Sequence, residues 1–139
     1  MGEIPPVSIV CLAMNGYDCD PKKLADLDLV YQFLDCCSDL IEMTRSMGKP
    51  YVFKHRGKVP EVWGVSGFIL GRPLAQISIH TFPEKRYLLL NIFSIEDFAY
   101  SKAITYAAEV FDIARYEHHI LNRVRKSEEE PPSTPDEAA

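Results

Sequence analysis

Three short runs rich in β-branched and aromatic residues follow one another in the centre of the chain, and they constrain the fold more than any other feature. The runs are Val62 to Leu70, Gln76 to Thr81 and Tyr87 to Phe93. Gly71-Arg72-Pro73 separates the first two, and Pro83-Glu84-Lys85-Arg86 separates the last two. Short runs joined by such turns are typical of consecutive antiparallel strands. The sequence therefore predicts an antiparallel meander.

The segment before the meander predicts a buried strand and a long helix. Val7 to Met14 is a mostly apolar run that ends at the turn dipeptide Asn15-Gly16, which indicates a short strand. Asp20 and Pro21 have the pattern of an N-cap followed by proline at the first helical position. Apolar residues recur at helical spacing from there up to Gly48. We therefore expect an amphipathic helix over this region.

The remaining segments predict two more strands and a second helix. Tyr51 to Phe53 is β-prone and precedes a polar connector, Lys54 to Glu61. Ser94 to Phe111 predicts a helix, with Ser94 and Asp97 in capping-box spacing. Tyr116 to Val124 favours a final strand over a helical continuation. Strands in series with two helices predict an α+β fold: a two-layer sandwich of one antiparallel β-sheet with both helices on one face.

Composition limits the number of domains and the classes of partner. A chain of 139 residues that is 47% hydrophobic suits one domain, which we place at residues 1–126, whereas residues 127–139 are acidic and proline-rich and predict a disordered tail. A net charge of −5 argues against nucleic acid as a partner. No apolar run reaches the ~18 residues of a membrane span, and neither a signal peptide nor a cysteine pattern for disulfides or zinc is present. We expect a cytoplasmic protein with no membrane partner.

Two strings in the centre of the chain carry the most specific functional information. Gly64-Val65-Ser66-Gly67 is followed after a short gap by Ile77-Ser78-Ile79-His80-Thr81-Phe82-Pro83-Glu84. In this order and spacing they resemble the small, single-domain S-adenosylmethionine decarboxylases of bacteria and archaea. Tyr17-Asp18-Cys19-Asp20 and Lys102-Ala103 extend the resemblance over about Ile9 to Val124. It implies a homodimer with sites near the subunit interface, which also allows a heterodimer with an active paralogue.

The resemblance implies a proenzyme that cleaves itself, but the residue for that step is missing. In that family a serine attacks the preceding carbonyl, and elimination from the ester leaves a pyruvoyl group that acts as the electron sink for decarboxylation. The serine position falls on Ala75, or on Leu74 when counted forward from Gly64. No Ser, Thr or Cys lies between Gly67 and Ile77. We therefore expect no self-cleavage and no pyruvoyl cofactor.

Two further positions of the family's chemistry can be located by the resemblance. The cysteine that donates a proton to the decarboxylated intermediate falls on Ile95, which has no titratable group. The histidine of self-processing falls on His80, although a lone histidine in a strand is also a common structural residue. Loss of chemistry at both Ala75 and Ile95 favours a natural non-catalytic homologue over a single inactivating mutation.

Four side chains are candidates for ligand binding: Ser66, His80, Phe82 and Glu84. Each has a structural alternative. Ser66 is also a turn former, and Glu84 suits a solvated turn. Phe82 replaces the family's usual tryptophan, so it can stack on a base or pack in the core. We assign no metal site, because the adjacent His118 and His119 would point to opposite faces of a strand.

Three functions are compatible with these residues. The first is a pseudoenzyme that binds S-adenosylmethionine or a related nucleoside, or regulates an active paralogue of spermidine and polyamine biosynthesis. The second is an active S-adenosylmethionine decarboxylase, a carboxy-lyase, with an unexpected nucleophile such as Ser78 or Ser66. The third is a structural interaction module whose pocket is filled by side chains. We favour the first.

Overall fold

Seven strands form one antiparallel sheet in the computed structural model, which describes residues 7–45, 48–59, 62–72 and 74–125. The strands are β1 (Val7–Tyr17), β2 (Thr44–Arg45), β3 (Tyr51–Arg56), β4 (Trp63–Arg72), β5 (Ala75–Phe82), β6 (Tyr87–Ser94) and β7 (Arg115–Arg125). The helices are α1 (Pro21–Leu24), α2 (Leu27–Leu40) and α3 (Tyr100–Val110), and a 3-10 turn covers Pro83–Lys85. The α+β prediction is confirmed. The predicted domain end at residue 126 and the predicted tail lie outside the described residues.

The meander in the centre of the sheet is confirmed, with strand ends within two residues of those predicted. The order across the sheet is β2-β4-β5-β6-β1-β7, and β3 also pairs with β4. All of these pairs are antiparallel. Because successive side chains in a strand point to opposite faces, this pairing decides which residues of the meander share a face.

The two faces of the sheet differ in what covers them. In β5 the side chains at alternate positions from Ala75 to Thr81 are buried, and those from Gln76 to Phe82 are exposed or partly buried. The buried set packs with helices α1, α2 and α3 in one continuous apolar cluster. We call the other face, which carries Ser66, His80 and Phe82, the open face.

The helices are fixed on the covered face by an aromatic contact between α2 and the end of α3. Phe33 is fully buried and meets Phe111 edge to face, with 5.3 Å between ring centroids. Its other neighbour is Tyr106, whose ring stacks on it at 5.5 Å. Contacts of this kind add to the burial of apolar area that stabilises the helix layer.

Two predictions for the first forty residues are wrong in detail. β1 does not end before Asn15-Gly16 but continues to Tyr17, because β6 and β7 pair with it on both sides; the chain turns at Asp18, whose φ is 55°. The predicted long helix is broken in two. Asp20 caps α1 as predicted, but the Asp26 carboxylate accepts the Leu29 N–H at 3.1 Å and starts α2 separately. α2 ends at Leu40, well before Gly48.

Three differences in the second half of the chain also have local causes. α3 begins at Tyr100 and not at Ser94, because Ser94 still pairs with Ala75 as the last residue of β6. Its hydroxyl accepts the Glu96 N–H at 3.0 Å, so it forms a turn and not the predicted capping box. β3 extends to Arg56, through part of the predicted connector. The prediction of a strand near the C-terminal end of the domain is confirmed by β7.

Candidate functional site

Ser66 and His80 form a hydrogen-bonded pair on the open face. They are directly opposed in the β4–β5 ladder, and Ser66 Oγ lies 2.8 Å from His80 Nδ1. Ser66 is 3% exposed, whereas His80 is partly exposed. The alternative that Ser66 forms a turn does not hold, since it lies in the middle of a ten-residue strand. Two of the predicted site residues are therefore brought together.

The surroundings of His80 favour its neutral form. Burial and, to a smaller extent, the nearby imidazole of His55 lower the pKa of His80 below its usual value. A neutral imidazole with its proton on Nε2 can accept a hydrogen bond from the Ser66 hydroxyl at Nδ1. The pair can therefore hold a proton between the two side chains and present an N–H donor at the open face.

His55 is a residue of this site that the sequence did not reveal. Its Nε2 lies 3.0 Å from the carbonyl oxygen of Thr81, and its ring meets the Phe82 ring edge to face at 5.2 Å. It lies in the part of β3 that the sequence predicted as a connector. The available signal was the alternation continuing from Tyr51 through Phe53 to His55, which would have placed all three side chains on one face.

Gly64 leaves the space that this contact requires. A Cβ at Gly64 would lie 1.7 Å from the Thr81 carbonyl oxygen and 2.9 Å from His55 Nε2. Such distances are far inside van der Waals contact, so a side chain would displace either β5 or the imidazole. The first glycine of the Gly-Val-Ser-Gly string thus has a packing role beside the Ser66–His80 pair.

Phe82 lies on the open face and not in the apolar cluster, so the alternative of core packing does not hold. Its ring stacks on Tyr87, with 5.9 Å between centroids. Tyr87 in turn lies 5.3 Å from Tyr17, and the Arg115 guanidinium lies 5.0 Å above the Tyr17 ring. A row of planar groups therefore crosses four strands beside the Ser66–His80 pair.

The far end of this row carries a carboxylate held in its ionised form. Glu117 accepts hydrogen bonds from Tyr17 Oη at 2.7 Å and from Asn15 Nδ2 at 2.9 Å. These bonds, that from Asn15 first, lower the pKa of the Glu117 carboxyl below its usual value. The open face is therefore polar at β7 and more aromatic towards β3.

Glu84 is exposed in the 3-10 turn that follows Phe82, as the solvated-turn alternative describes. It nevertheless borders two cavities, one of about 630 Å³ and one of about 410 Å³. Both are open clefts beside Trp63 at one end of the sheet. Three of the four predicted ligand-binding residues therefore lie on the open face, and the fourth lies next to Phe82 beside these clefts.

Ala75 and Ile95 lie close to each other at the opposite end of β5. Ala75 is the first residue of β5, is 6% exposed and pairs with Ser94. The carbonyl oxygen of Leu74 accepts a hydrogen bond from the Ile95 N–H at 3.2 Å. A cavity of about 360 Å³ borders Ala75 and is lined by Ile92, Ser94, Arg72 and the acidic residues Glu42, Glu96 and Asp97 among others.

The structure does not bring the two groups of predicted site residues together. The side chain of Ala75 faces the helix layer, whereas His80 faces the open side. His80 lies five residue steps along the extended strand from Ala75, which corresponds to about 17 Å. Within one chain and in this conformation, His80 therefore does not reach the Leu74–Ala75 peptide bond.

The described part of the chain contains neither a metal site nor a membrane-spanning helix. His118 and His119 lie exposed in β7, where alternation directs them to opposite faces. Among the described residues, no group of three His, Cys, Asp or Glu side chains is arranged to hold a metal ion. Within the same residues, no helix has both the length and the apolar character required to cross a membrane.

Comparison with known proteins gives concordant matches in family, sequence and structure. The profile of the S-adenosylmethionine decarboxylase family matches residues 10–124. A curated relative, the S-adenosylmethionine decarboxylase proenzyme of Pyrococcus abyssi (strain GE5 / Orsay), is 30% identical over 118 residues, which are 84% of this chain and 76% of the relative. The crystal structure of the adenosylmethionine decarboxylase from Aquifex aeolicus VF5 superposes with a TM-score of 0.71 at 18% identity, over 93% of this chain and 100% of that one.

Proposed function

This chain belongs to the S-adenosylmethionine decarboxylase family, and we propose that it is a member that does not cleave itself and retains only a nucleoside-binding site. The observation that carries the proposal is the methyl side chain of Ala75, which begins a regular strand and faces the helix layer. We accordingly propose that the chain forms no pyruvoyl group and has no decarboxylase activity.

The chemistry of self-processing explains why an alanine at position 75 is incompatible with formation of a pyruvoyl group. The hydroxyl of the residue after the cleaved bond adds to the preceding carbonyl carbon, the C–N bond breaks, and the chain is held as an ester. Elimination of the carboxylate from that ester leaves a double bond next to the freed amine. This enamine tautomerises to an imine, and water hydrolyses the imine to the ketone and ammonia. A methyl group has neither the lone pair for the first step nor the oxygen that leaves in the second. The residues present at this position therefore do not fit a pyruvoyl group.

Another hydroxyl does not replace the missing one. A pyruvoyl group forms only on the residue whose own hydroxyl attacked, so Ser66 and Ser78 would have to cleave the bonds that precede them. Those bonds lie inside strands that are paired on both sides, where the peptide groups are engaged in the ladder. The decarboxylase with an unexpected nucleophile is thus disfavoured.

A nucleoside fits the open face near Phe82 in chemical terms. The Phe82 ring offers an aromatic surface for a base, and the Glu84 carboxylate is an acceptor for ribose hydroxyls. The Ser66–His80 pair adds a polar contact beside them. Phe82 and the Ser66–His80 pair lie on the open face and outside the apolar cluster, which favours a binding role over a purely structural module.

We also propose that two copies associate through the open face. This face carries exposed apolar side chains, with Tyr51 60%, Phe53 39% and Leu121 47% exposed, and exposed apolar patches commonly mark interfaces. A heterodimer with an active paralogue would use the same face. Sedimentation that gives only the mass of a single chain at micromolar concentration would contradict the homodimer.

Calorimetric and thermal titration with S-adenosylmethionine tests the retained site. We expect heat of binding and a rise in Tm at millimolar ligand, because a ligand that binds only the folded state stabilises it. Phe82→Leu should weaken binding by about tenfold, which corresponds to ~1.4 kcal/mol of lost stacking. The control Ser101→Ala, at an exposed position of α3, should not change it. Absence of both heat and Tm shift would support the structural module instead.

A further inference from the structure

Trp63 and Glu84 form a common wall between the two clefts at the end of the sheet. The larger cleft, of about 630 Å³, lies where the β3–β4 hairpin meets the 3-10 turn. The smaller one, of about 410 Å³, lies on the side of α1. Small-molecule sites commonly have volumes of roughly 300–1,000 Å³, so the larger cleft alone could hold most of a nucleotide.

Positive charge is concentrated around these clefts. Five basic side chains line them: Lys54, Arg56 and Lys58 in the larger cleft, and Lys22 and Arg86 in the smaller one. They are five of the 15 Lys and Arg residues of a chain that has 20 acidic residues. Among the described residues that line the two clefts, Glu84 is the only one with a carboxylate. Among the described residues, none of the five takes part in an ion pair. Like charges gathered in a concave surface favour an anion there.

Aromatic side chains lie beside the basic ones at this end of the sheet. Trp63 is partly buried between the clefts, and His55, which contacts Phe82, also lines the larger one. Trp63 pairs with Arg56 in the β3–β4 ladder, so its ring lies on the same face of the sheet as the Arg56 and Lys54 side chains, whereas the His55 ring lies on the open face. The larger cleft thus presents the indole of Trp63 for a planar ring and, beside it, a guanidinium and two ammonium groups. Arg56 can bind a phosphate through two parallel hydrogen bonds, and Lys54 and Lys58 can add charge.

We infer that the ligand of this end of the sheet is a nucleoside phosphate. S-adenosylmethionine carries a sulfonium cation, which the basic side chains would repel, whereas a phosphate chain satisfies them. This inference rests on the proposed nucleoside site, because Glu84 belongs to both. It adds that the site selects anionic ligands and that Arg56, Lys58 and Lys54 bind the phosphates.

The fluorescence of Trp63 provides the measurement, because it is the only tryptophan of the chain. The wild-type protein is titrated in the presence of a metal chelator with ATP, AMP, adenosine, S-adenosylmethionine and a single-stranded oligonucleotide. We expect saturable quenching in the order ATP, AMP, adenosine, with ATP at least about tenfold tighter than adenosine or S-adenosylmethionine. Tripolyphosphate should displace bound ATP. Higher salt should weaken the binding of ATP but not the binding of adenosine.

A matched pair of double variants separates a local contact from the effect of net charge. The double variant Arg56→Gln with Lys58→Gln should weaken the affinity for ATP by about tenfold or more and leave the affinity for adenosine unchanged. The control Lys49→Gln with Lys102→Gln removes the same charge at exposed positions outside both clefts and should leave ATP unchanged. All four positions are exposed, so both proteins should retain the wild-type Tm.

The outcomes distinguish this inference from the proposed function. If S-adenosylmethionine or adenosine binds as tightly as ATP, the nucleoside site stands and the anionic specificity is wrong. If no nucleoside of any charge binds at millimolar concentration, both are wrong. Equal weakening of ATP by the two double variants would overturn the assignment of Arg56 and Lys58. If the oligonucleotide binds more tightly than ATP, the ligand of this end of the sheet is a nucleic acid and the inference of a small nucleoside phosphate is wrong.

Discussion

At the scale of single residues, the proposed absence of decarboxylase chemistry rests on position 75 and its surroundings. The carbonyl that a nucleophile at position 75 would attack is that of Leu74, and its oxygen accepts a hydrogen bond from the Ile95 N–H. The nucleophile is missing at Ala75, and a proton donor is missing at Ile95. His80 lies on the other face of β5, about 17 Å along the strand.

Restoring the hydroxyl alone should therefore not restore function. We expect Ala75→Ser to remain a single chain and to release no carbon dioxide from S-adenosylmethionine, because His80 of the same chain is remote and Ile95 cannot transfer a proton. Electrophoresis and mass analysis after prolonged incubation measure cleavage, and trapped carbon dioxide measures decarboxylation. Cleavage of this variant would show that His80 can reach the loop; decarboxylation would refute the role assigned to Ile95.

The His80 environment makes a prediction for the pH dependence of stability. Since the pKa of His80 is lowered in the folded state, the unfolded chain binds more protons between that folded value and the unfolded value of about 6.5. The free energy of unfolding should therefore decrease as pH falls through about 6.5, and His80 should contribute no pH dependence above it. Urea unfolding at several pH values measures the slope.

His80→Gln provides the matching variant, since the glutamine amide does not titrate in this range. Its decrease in unfolding free energy on acidification should be smaller than that of the wild type, and the NMR titration of the His80 ring should give a pKa below about 6.5. An identical slope in both proteins, or a ring pKa above that value, would contradict the neutral His80 described above.

At the scale of elements, the meander was predictable and several boundaries were not. Alternating apolar residues and turn residues define β4, β5 and β6 locally, so the sequence suffices for them. The extension of β1 through Asn15-Gly16 depends on pairing with β6 and β7, which are distant in sequence. His55 was missed for the same reason, because pairing with β4 turns a polar segment into a strand.

The site itself could be predicted only in part. The resemblance identified Ser66, His80, Phe82 and Glu84, but the contact between Ser66 and His80 depends on the register of two strands. The sequence also contains no signal that Ala75 and His80 face opposite ways until β5 is known to begin at residue 75. The basic lining around Trp63 comes from three separate segments. The basic residues of Lys54 to Lys58 are visible in the sequence, but their proximity to Lys22 and Arg86 depends on the fold.

The contact between β4 and β5 makes a prediction at this scale. Gly64→Ala should destabilise the fold by about 3 kcal/mol or more, because the new methyl group would overlap the Thr81 carbonyl. Gln76→Ala, at an exposed position of β5, should change stability by less than about 0.5 kcal/mol. Chemical denaturation measures both. A Gly64→Ala protein as stable as the control would mean that β4 and β5 are not this close.

At the scale of the whole molecule, the chain combines a family fold with an altered reaction centre. The helix layer, the sheet order and the open face are those of a complete α+β domain. The two ends of β5 differ in character: one carries Ala75 beside Ser94, and the other carries polar and aromatic side chains beside basic clefts. This contrast is consistent with the proposal that the chain binds a nucleoside without transforming it.

The intact mass of the purified protein tests the central claim most directly. A chain that does not cleave itself should give one species at the composition mass of 15.8 kDa, with an N-terminus that reacts normally in sequencing. The protein is measured after long incubation at neutral pH, so that slow processing would be detected. Two fragments that add up to this mass, the second with a blocked N-terminus, would contradict the account.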